Sequence, residues 1–220
     1  MRFDPSSRSR LNRRHLARFP GETVFARVAR AVCEAECLPR KELFESWEVA
    51  RRVRRRIRGR RVVEFASGHA LVAHLLLLLD DSSKGAVAID AKPVPSADRL
   101  ARTLVARWPR LEGRVERRVG DLGTVDLEAG DLVLSVHACG ALTDTVLERA
   151  IRARAVVAVL PCCHDVATCD SGGLRGFLSI PLAIDATRVA RLRAAGYDVL
   201  TQTIPAKITP EKPHMSQRVL

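Results

Sequence analysis

Residues 61–79 read RVVEFASGHALVAHLLLLL, and this stretch decides the fold. Val62, Val63 and Phe65 supply the apolar run of a buried strand. Gly68 centres a tight turn, and the leucine-rich segment beginning near His69 or Ala70 predicts a helix. A strand that ends in an acid and a glycine turn and then feeds a helix is how nucleotide sites begin in α/β proteins. The turn lets backbone approach a ligand, and the helix start offers free N–H groups. Glu64 stands at the strand end, where a carboxylate can accept hydrogen bonds from an amine or from hydroxyls. Ala66 and Ala70 occupy positions where richer versions carry glycine, so the residues equally suit an ordinary strand-turn-helix corner.

Outward from this stretch the chain keeps alternating. Residues 85–90 (GAVAID) predict a second strand ending in Asp90, and residues 95–108 a helix capped by Ser96. Residues 111–119 form a polar, edge-side strand followed by Gly120 and Asp121. Residues 131–136 (DLVLSV) and 155–160 (AVVAVL) are apolar enough to be central strands, with a helix between them. Residues 165–183 are irregular, residues 185–195 are helical, residues 197–203 form a sixth strand, and a proline-rich connection leads to a last short strand near residues 217–220. Strands alternating with helices imply a parallel sheet with right-handed crossovers. The final two strands lack a helix between them, so the last is expected to run antiparallel.

Before residue 61 the composition changes. Net charge is +12 over 220 residues, yet residues 1–61 hold 18 basic and 7 acidic side chains, and the remainder is nearly neutral. Residues 1–20 read as a flexible basic terminus, residues 21–60 as a helical basic extension, and residues 61–220 as the α/β domain. In 41–58, Leu43, Phe44, Trp47, Ala50, Val53 and Ile57 share one face, and Arg51, Arg52, Arg54, Arg55, Arg56 and Arg58 the other. Such a cationic back suits a surface that tracks phosphates, so RNA is the expected partner and Arg51, Arg54, Arg55 and Arg58 are its candidate contacts. Six cysteines without a secretory signal predict reduced thiols and a cytoplasmic location. The longest apolar run is too short for a membrane span.

In an open α/β sheet the ligand lies at the carboxyl ends of the strands. This sequence places Glu64 and Gly68, then Asp90, then Asp121 at successive tips. The fourth tip carries His137, Cys139 and Gly140, and the fifth carries Cys162, Cys163 and His164. The acids suit a nucleoside, and the lack of a GxxxxGK[ST] loop argues against a triphosphate. Cys162, Cys163, His164 and Cys169 invite a zinc reading, but no Cys-x2–4-Cys pair accompanies them. Buried thiols without a metal are therefore the expectation.

The acid-glycine turn, the acid after strand two, the Gly-Asp after strand three, and the segments SVHACGALTD (135–144) and LPCCHD (160–165) together resemble S-adenosylmethionine-dependent methyltransferases of the Rossmann-like class. The His-x-Cys-Gly-x-x-Thr-Asp and Pro-Cys-Cys-His elements are similar to the branch holding the eukaryotic tRNA ribose 2′-O-methyltransferase, methyltransferase-like protein 25 and bacterial single-domain relatives. The resemblance implies a seven-stranded sheet with its last strand antiparallel. It implies S-adenosylmethionine as cofactor, with Glu64, Ser67 and Gly68 at its methionine end, Asp90 at the ribose and Asp121 at the adenine. His137 and Cys139 would flank the transferring methyl, and His137 or His164 would be the base for a hydroxyl acceptor. Three functions follow: an RNA methyltransferase, a methyltransferase of a protein or small molecule, and a non-catalytic RNA-binding module on a degenerate scaffold. Alanine fits at positions 66 and 70 without strain only if φ is negative there.

Overall fold

The computed structural model describes residues 3–209 and the strand Arg218–Val219. Five strands, β1 (Val62–Phe65), β2 (Ala86–Asp90), β3 (Val115–Val119), β4 (Leu132–Val136) and β5 (Val156–Leu160), pair in parallel in the order β3-β2-β1-β4-β5. Six α-helices accompany them among the described residues: α1 (Val24–Ala35), α2 (Arg40–Arg54), α3 (Leu71–Leu79), α4 (Ser96–Arg107), α5 (Ala141–Ala153) and α6 (Ile180–Ala194). No helix among the described residues is long and apolar enough to cross a membrane.

Strand alternation sorts the core into two layers. Val62, Ala86, Ala88, Leu132, Leu134, Ala158 and Leu160 face one side and pack with α1, α2, α3 and α4. Val63, Phe65, Val87, Ile89, Val133 and Val159 face the other and pack with α5 and α6. That second side has only two helices because β3 reaches β4 through a short turn, whose Leu122 and Val125 join the core directly. Arg188 of α6 is fully buried and ties α6 to α5. Its guanidinium donates to the Asp144 carboxylate at 2.8 and 3.0 Å and to the Gly140 carbonyl at 3.0 Å.

Four sequence expectations change. The single seven-stranded sheet is instead five parallel strands plus a separate antiparallel ribbon of β6 (Gln202–Thr203) and β7 (Arg218–Val219). Tyr197, expected to open the sixth strand, is drawn away. Its amide bonds back to Leu192 as part of the α6 cap, and its hydroxyl lies within 3.0 Å of the Ala150 and Ala155 carbonyls. A groove of about 700 Å³ consequently runs along the outer edge of β5, between Val156–Ala158 and residues 197–200. The proline-rich connection beyond Thr209 lies outside the described residues.

The segment expected to be a flexible terminus is docked from residue 3 onward. Leu11 and Phe19 are buried, Leu11 N–H donates to the Leu38 carbonyl at 2.9 Å, and Asn12 caps a 3-10 turn over Arg13–Arg18. Nor are α1 and α2 an appended extension. They share one continuous core with α3, α4 and the sheet.

The β1–α3 turn contains three left-handed residues in five: Ala66 (φ 50°), Gly68 (φ 51°) and Ala70 (φ 56°). The negative φ that alanine would prefer is therefore not adopted; both alanines hold the conformation of the glycines they replace. For an L-residue this costs about 1–2 kcal/mol each. Ala66 is half-buried, so removing its methyl leaves little cavity. Replacing Ala66 with Gly should raise stability by about 0.5–1 kcal/mol in urea unfolding, the relief exceeding the entropy glycine adds to the unfolded chain. A loss of stability would mean the turn is not left-handed at this position.

Candidate active site

The strand order reverses between β1 and β4, since β1 continues to β2 on one side and β4 to β5 on the other. The loops leaving these two strands diverge to opposite faces and open a crevice at the carboxyl edge. Parallel pairing puts the tips of β2, β1 and β4 side by side, so Asp90, the Ser67–Gly68 turn and His137 share that edge.

Asp90 organises it. One carboxylate oxygen accepts the Gly68 N–H at 2.9 Å and the other the Lys92 N–H at 3.2 Å, joining the loops after β1 and β2. Its carbonyl accepts the Gly120 N–H at 3.0 Å, which brings the β3 tip alongside. Asp121 follows, exposed, with its carboxylate on the Gly123 N–H at 2.6 Å. Ser67 is pinned by its backbone, donating to Ile89 and accepting from Ala70. His69 adds a side-chain contact to Ser96 at 2.8 Å.

Glu64 does not line the crevice. It is 3% exposed and turned beneath the turn, where it accepts the Ala73 N–H at 2.8 Å in the first turn of α3. A carboxyl group there caps a helix that has no side-chain cap from Ala70. Its role is to hold the turn, one step removed from any ligand.

His137 stands at the β4 tip with φ 81°, a strained backbone for a non-glycine. Its side chain is about one-third exposed (32%), and its Nε2 lies 3.4 Å from Oε2 of Glu45, which is 1% exposed. The two atoms face one another without hydrogen-bond alignment, and neither has another hydrogen-bond partner among the described residues. Glu45 is further held by Lys41 at 3.1 Å and by the Thr209 hydroxyl at 2.6 Å. Burial lowers the His137 pKa, and the Glu45 charge opposes this. Glu45 was missed in the sequence because it sits within an amphipathic helix beside apolar neighbours, where a buried acid leaves no periodic mark.

His164 departs from the expected catalytic role. Its side chain is 2% exposed and its Nε2 lies 2.9 Å from Asp185, itself part of the Arg188 network. It is sealed behind α6 and cannot touch an acceptor. Cys139 does reach the edge, where its thiol meets those of Cys162 and Cys163.

The arginines of α2 are not where an acceptor would enter. Helix α2 places Glu45 beside His137 at the carboxyl edge, so its end at Arg54 lies toward the amino edge, roughly 14 Å away by helix rise. Arg58 lines a hollow there with Arg60, Arg61 and Lys84, residues that precede β1 and β2. Arg51 pairs with Glu48 at 2.9 Å, and Arg54 donates to the Leu79 carbonyl at 2.7 Å, so both serve the fold. Arg55 and Arg58 are exposed. The cations near the crevice are Lys41 of α2, Arg99 of α4, Arg117 of β3 and, from the docked N-terminal segment, Arg8 and Arg10. Arg10 acts on the charge of His69 and Arg8 on that of Cys163.

A sequence model described as a methyltransferase domain matches residues 42–170, more than half of the chain. The chain belongs to this methyltransferase-domain family. The match begins inside α2, consistent with α2 being part of the core. The expected methyltransferase class is therefore the class of the family; the narrower ribose-methylating branch is not singled out. No curated protein matches the chain in sequence. Among solved structures, the B. subtilis M1A22 tRNA methyltransferase TrmK is 18% identical with a TM-score of 0.51, covering 78% of this chain and 63% of that one. P. horikoshii TYW2 in complex with MeSAdo is 14% identical with a TM-score of 0.50, covering 78% and 60%. The Pyrococcus abyssi tRNA (uracil-54, C5)-methyltransferase, in complex with S-adenosyl-L-homocysteine, is 15% identical with a TM-score of 0.50, covering 84% and 39%. These likenesses are of the fold, and this chain spans less than two-thirds of each of those proteins.

The carboxyl edge has the room and the acceptors to fit a nucleoside. A Cβ built on Gly68 meets nothing within 4 Å, so the turn opens onto free space. The Asp90 carboxylate sits at that turn, half-buried, with lone pairs left beyond its two N–H bonds.

Burial raises the Glu64 pKa to about 8; the Ala73 N–H opposes this and the Asp90 charge adds to it. In the unfolded chain the same group ionises near 4.5. Between these values the folded protein retains a proton that the unfolded chain has released, so stability falls as pH rises. The slope approaches about 1.4 kcal/mol per pH unit. Denaturant unfolding at several pH values across this window should show the decline in wild type and lose it in Glu64→Gln. Identical slopes in the two proteins would refute a neutral, buried Glu64.

Proposed function

We propose that the chain is an S-adenosylmethionine-dependent methyltransferase whose acceptor is RNA. The observation that carries the enzyme reading is the β1–α3 turn. It keeps the left-handed geometry at Ala66, Gly68 and Ala70, and it is latched to Asp90. A decayed scaffold would be expected to relax two strained alanines, which speaks against the non-catalytic alternative.

The cofactor, when bound, supplies a methyl group on a sulfonium. The chain's own residues do the positioning, which carries most of such a transfer. Gly68 offers close backbone approach, with Ser67 beside it. Asp90 accepts from ribose hydroxyls, and Asp121 stands at the neighbouring tip for the base. His137, one-third exposed, is a side chain at the edge able to touch the acceptor, its buried Nε2 turned to Glu45.

RNA is supported by charge. Arg8, Arg10, Arg13, Arg14 and Arg18 are exposed on the docked N-terminal segment, and Arg8 and Arg10 act on residues of the carboxyl edge. Phosphate contacts made there would guide a strand to the crevice, whereas Arg55 and Arg58 lie at the far edge. Solved proteins named for tRNA methylation share the fold, which agrees with this reading.

Labelled methyl transfer into cell extract, followed by RNase or protease digestion, tests the acceptor. Label should be released by RNase. Label released by protease alone would make the acceptor a protein. In the same preparation, Arg8→Glu with Arg10→Glu should weaken RNA binding and lower its salt slope by about 0.7–0.9 for each phosphate no longer neutralised. Arg55→Glu with Arg58→Glu should change the slope little; the opposite pattern would return the docking surface to α2.

A further inference from the structure

Three thiols meet at the tips of β4 and β5, and the proposed methyl transfer uses none of them. The Cys139 sulfur lies 3.3 Å from that of Cys162 and 3.2 Å from that of Cys163, and the latter two are 3.7 Å apart. All three are free thiols. Neighbouring residues of an extended strand point to opposite faces, so an adjacent pair cannot ordinarily serve one centre. Cys162 and Cys163 converge because they lie beyond the end of β5, where the chain turns. The two loops are clamped together. The Gly140 N–H donates to the Cys163 carbonyl at 3.2 Å and the His137 N–H to the Leu160 carbonyl at 3.4 Å. Cys139 itself is presented between two positive-φ residues, His137 (φ 81°) and Gly140 (φ 57°).

A thiol is a weak donor and a weak acceptor, so a triangle of sulfurs gains little from its own contacts. Strained backbone that assembles such a triangle needs another source of stabilisation. Thiolates bound to a soft cation provide one.

We propose that Cys139, Cys162 and Cys163 form a three-thiolate site for a soft divalent cation, Zn2+, with its fourth position open to solvent or to a substrate atom. All pairwise ligand-atom distances fall within 4.8 Å. With zinc–sulfur bonds of about 2.3 Å, sulfurs on a tetrahedron lie about 3.8 Å apart, so two edges of the observed triangle need to lengthen by roughly half an ångström and the third already fits. Cys139 is exposed and Cys163 half-buried, which leaves the cation a route in. Two residues that the sequence offered as companions stand outside the site. His164 is held by Asp185, and the Cys169 sulfur lies 3.6 Å from the Arg188 guanidinium. Three protein ligands and one open position are the pattern of a reactive zinc centre; a closed structural one would have four. The site neighbours the methyl-transfer edge but does not depend on the cofactor reading.

Metal analysis of the chain, purified under reductant and without chelator, tests this. Zinc should be present at about one equivalent per chain. Cobalt substitution should give the sulfur-to-metal charge-transfer band and the visible bands of a tetrahedral thiolate site. Cys139→Ser and Cys163→Ser should each weaken zinc binding by more than the roughly 10–100-fold cost of losing an outer partner. Cys33→Ala, in the α1 core, should leave it intact. Background zinc with all thiols freely reactive after zinc addition would overturn the proposal. So would equal zinc in the serine variants, which would mark adventitious metal, or a Cys139–Cys163 disulfide in the reduced preparation.

Discussion

The hydrogen bond from the Gly68 N–H to the Asp90 carboxylate is the constraint on which the rest of the edge depends. With the Ser67 N–H on the Ile89 carbonyl, it holds the loop after β1 curled toward β2, and the curled loop has left-handed backbone at Ala66, Gly68 and Ala70. Once curled, the loop aims the start of α3 downward onto Glu64, whose carboxyl group caps it. A buried acid, a strained turn and an unusually apolar helix become one unit. Leu71–Leu78 of α3 are buried throughout, so the helix cannot move without disturbing the core between the sheet and α2.

The same economy explains α2. Its apolar face packs on α3, its start places Glu45 beside His137, and its end turns Arg55 and Arg58 outward at the opposite edge. One helix thus links the carboxyl edge to the amino edge, and a residue's position along it decides which edge it serves. The arginines divide accordingly. Arg51 and Arg54 are bound into the fold, and the segment before α1 adds its exposed arginines to the cations near the crevice. A run of arginines in sequence is a uniform stripe only while the helix is considered alone.

The sheet was largely legible. Strand lengths, the central apolar character of β1, β4 and β5, and the polar edge of β3 follow from patterns that local backbone geometry imposes. The tips were legible for the same reason, since a parallel sheet sends all carboxyl ends to one edge. Three things were not. Ala66 and Ala70 flank a turn that is latched at Gly68 to Asp90 of another strand, and they hold angles against the preference of alanine. The fate of His164 depends on Asp185, twenty-one residues on, and that of His137 on Glu45, ninety-two residues earlier. Tyr197 reads as a strand residue by propensity, yet its hydroxyl finds buried carbonyls at the end of α5. Each is a long-range polar contact, and periodicity carries no trace of such contacts.

The central claim is that the space above Gly68 receives the donor nucleoside. Calorimetric titration of S-adenosylhomocysteine into wild type and Gly68→Val, with circular dichroism to check the fold, addresses it most directly. The valine side chain would project into the space that is open at Gly68. Wild type should bind and the folded variant should lose more than about tenfold in affinity, or ~1.4 kcal/mol. Equal affinity in the two proteins, or no binding by wild type, would contradict the account.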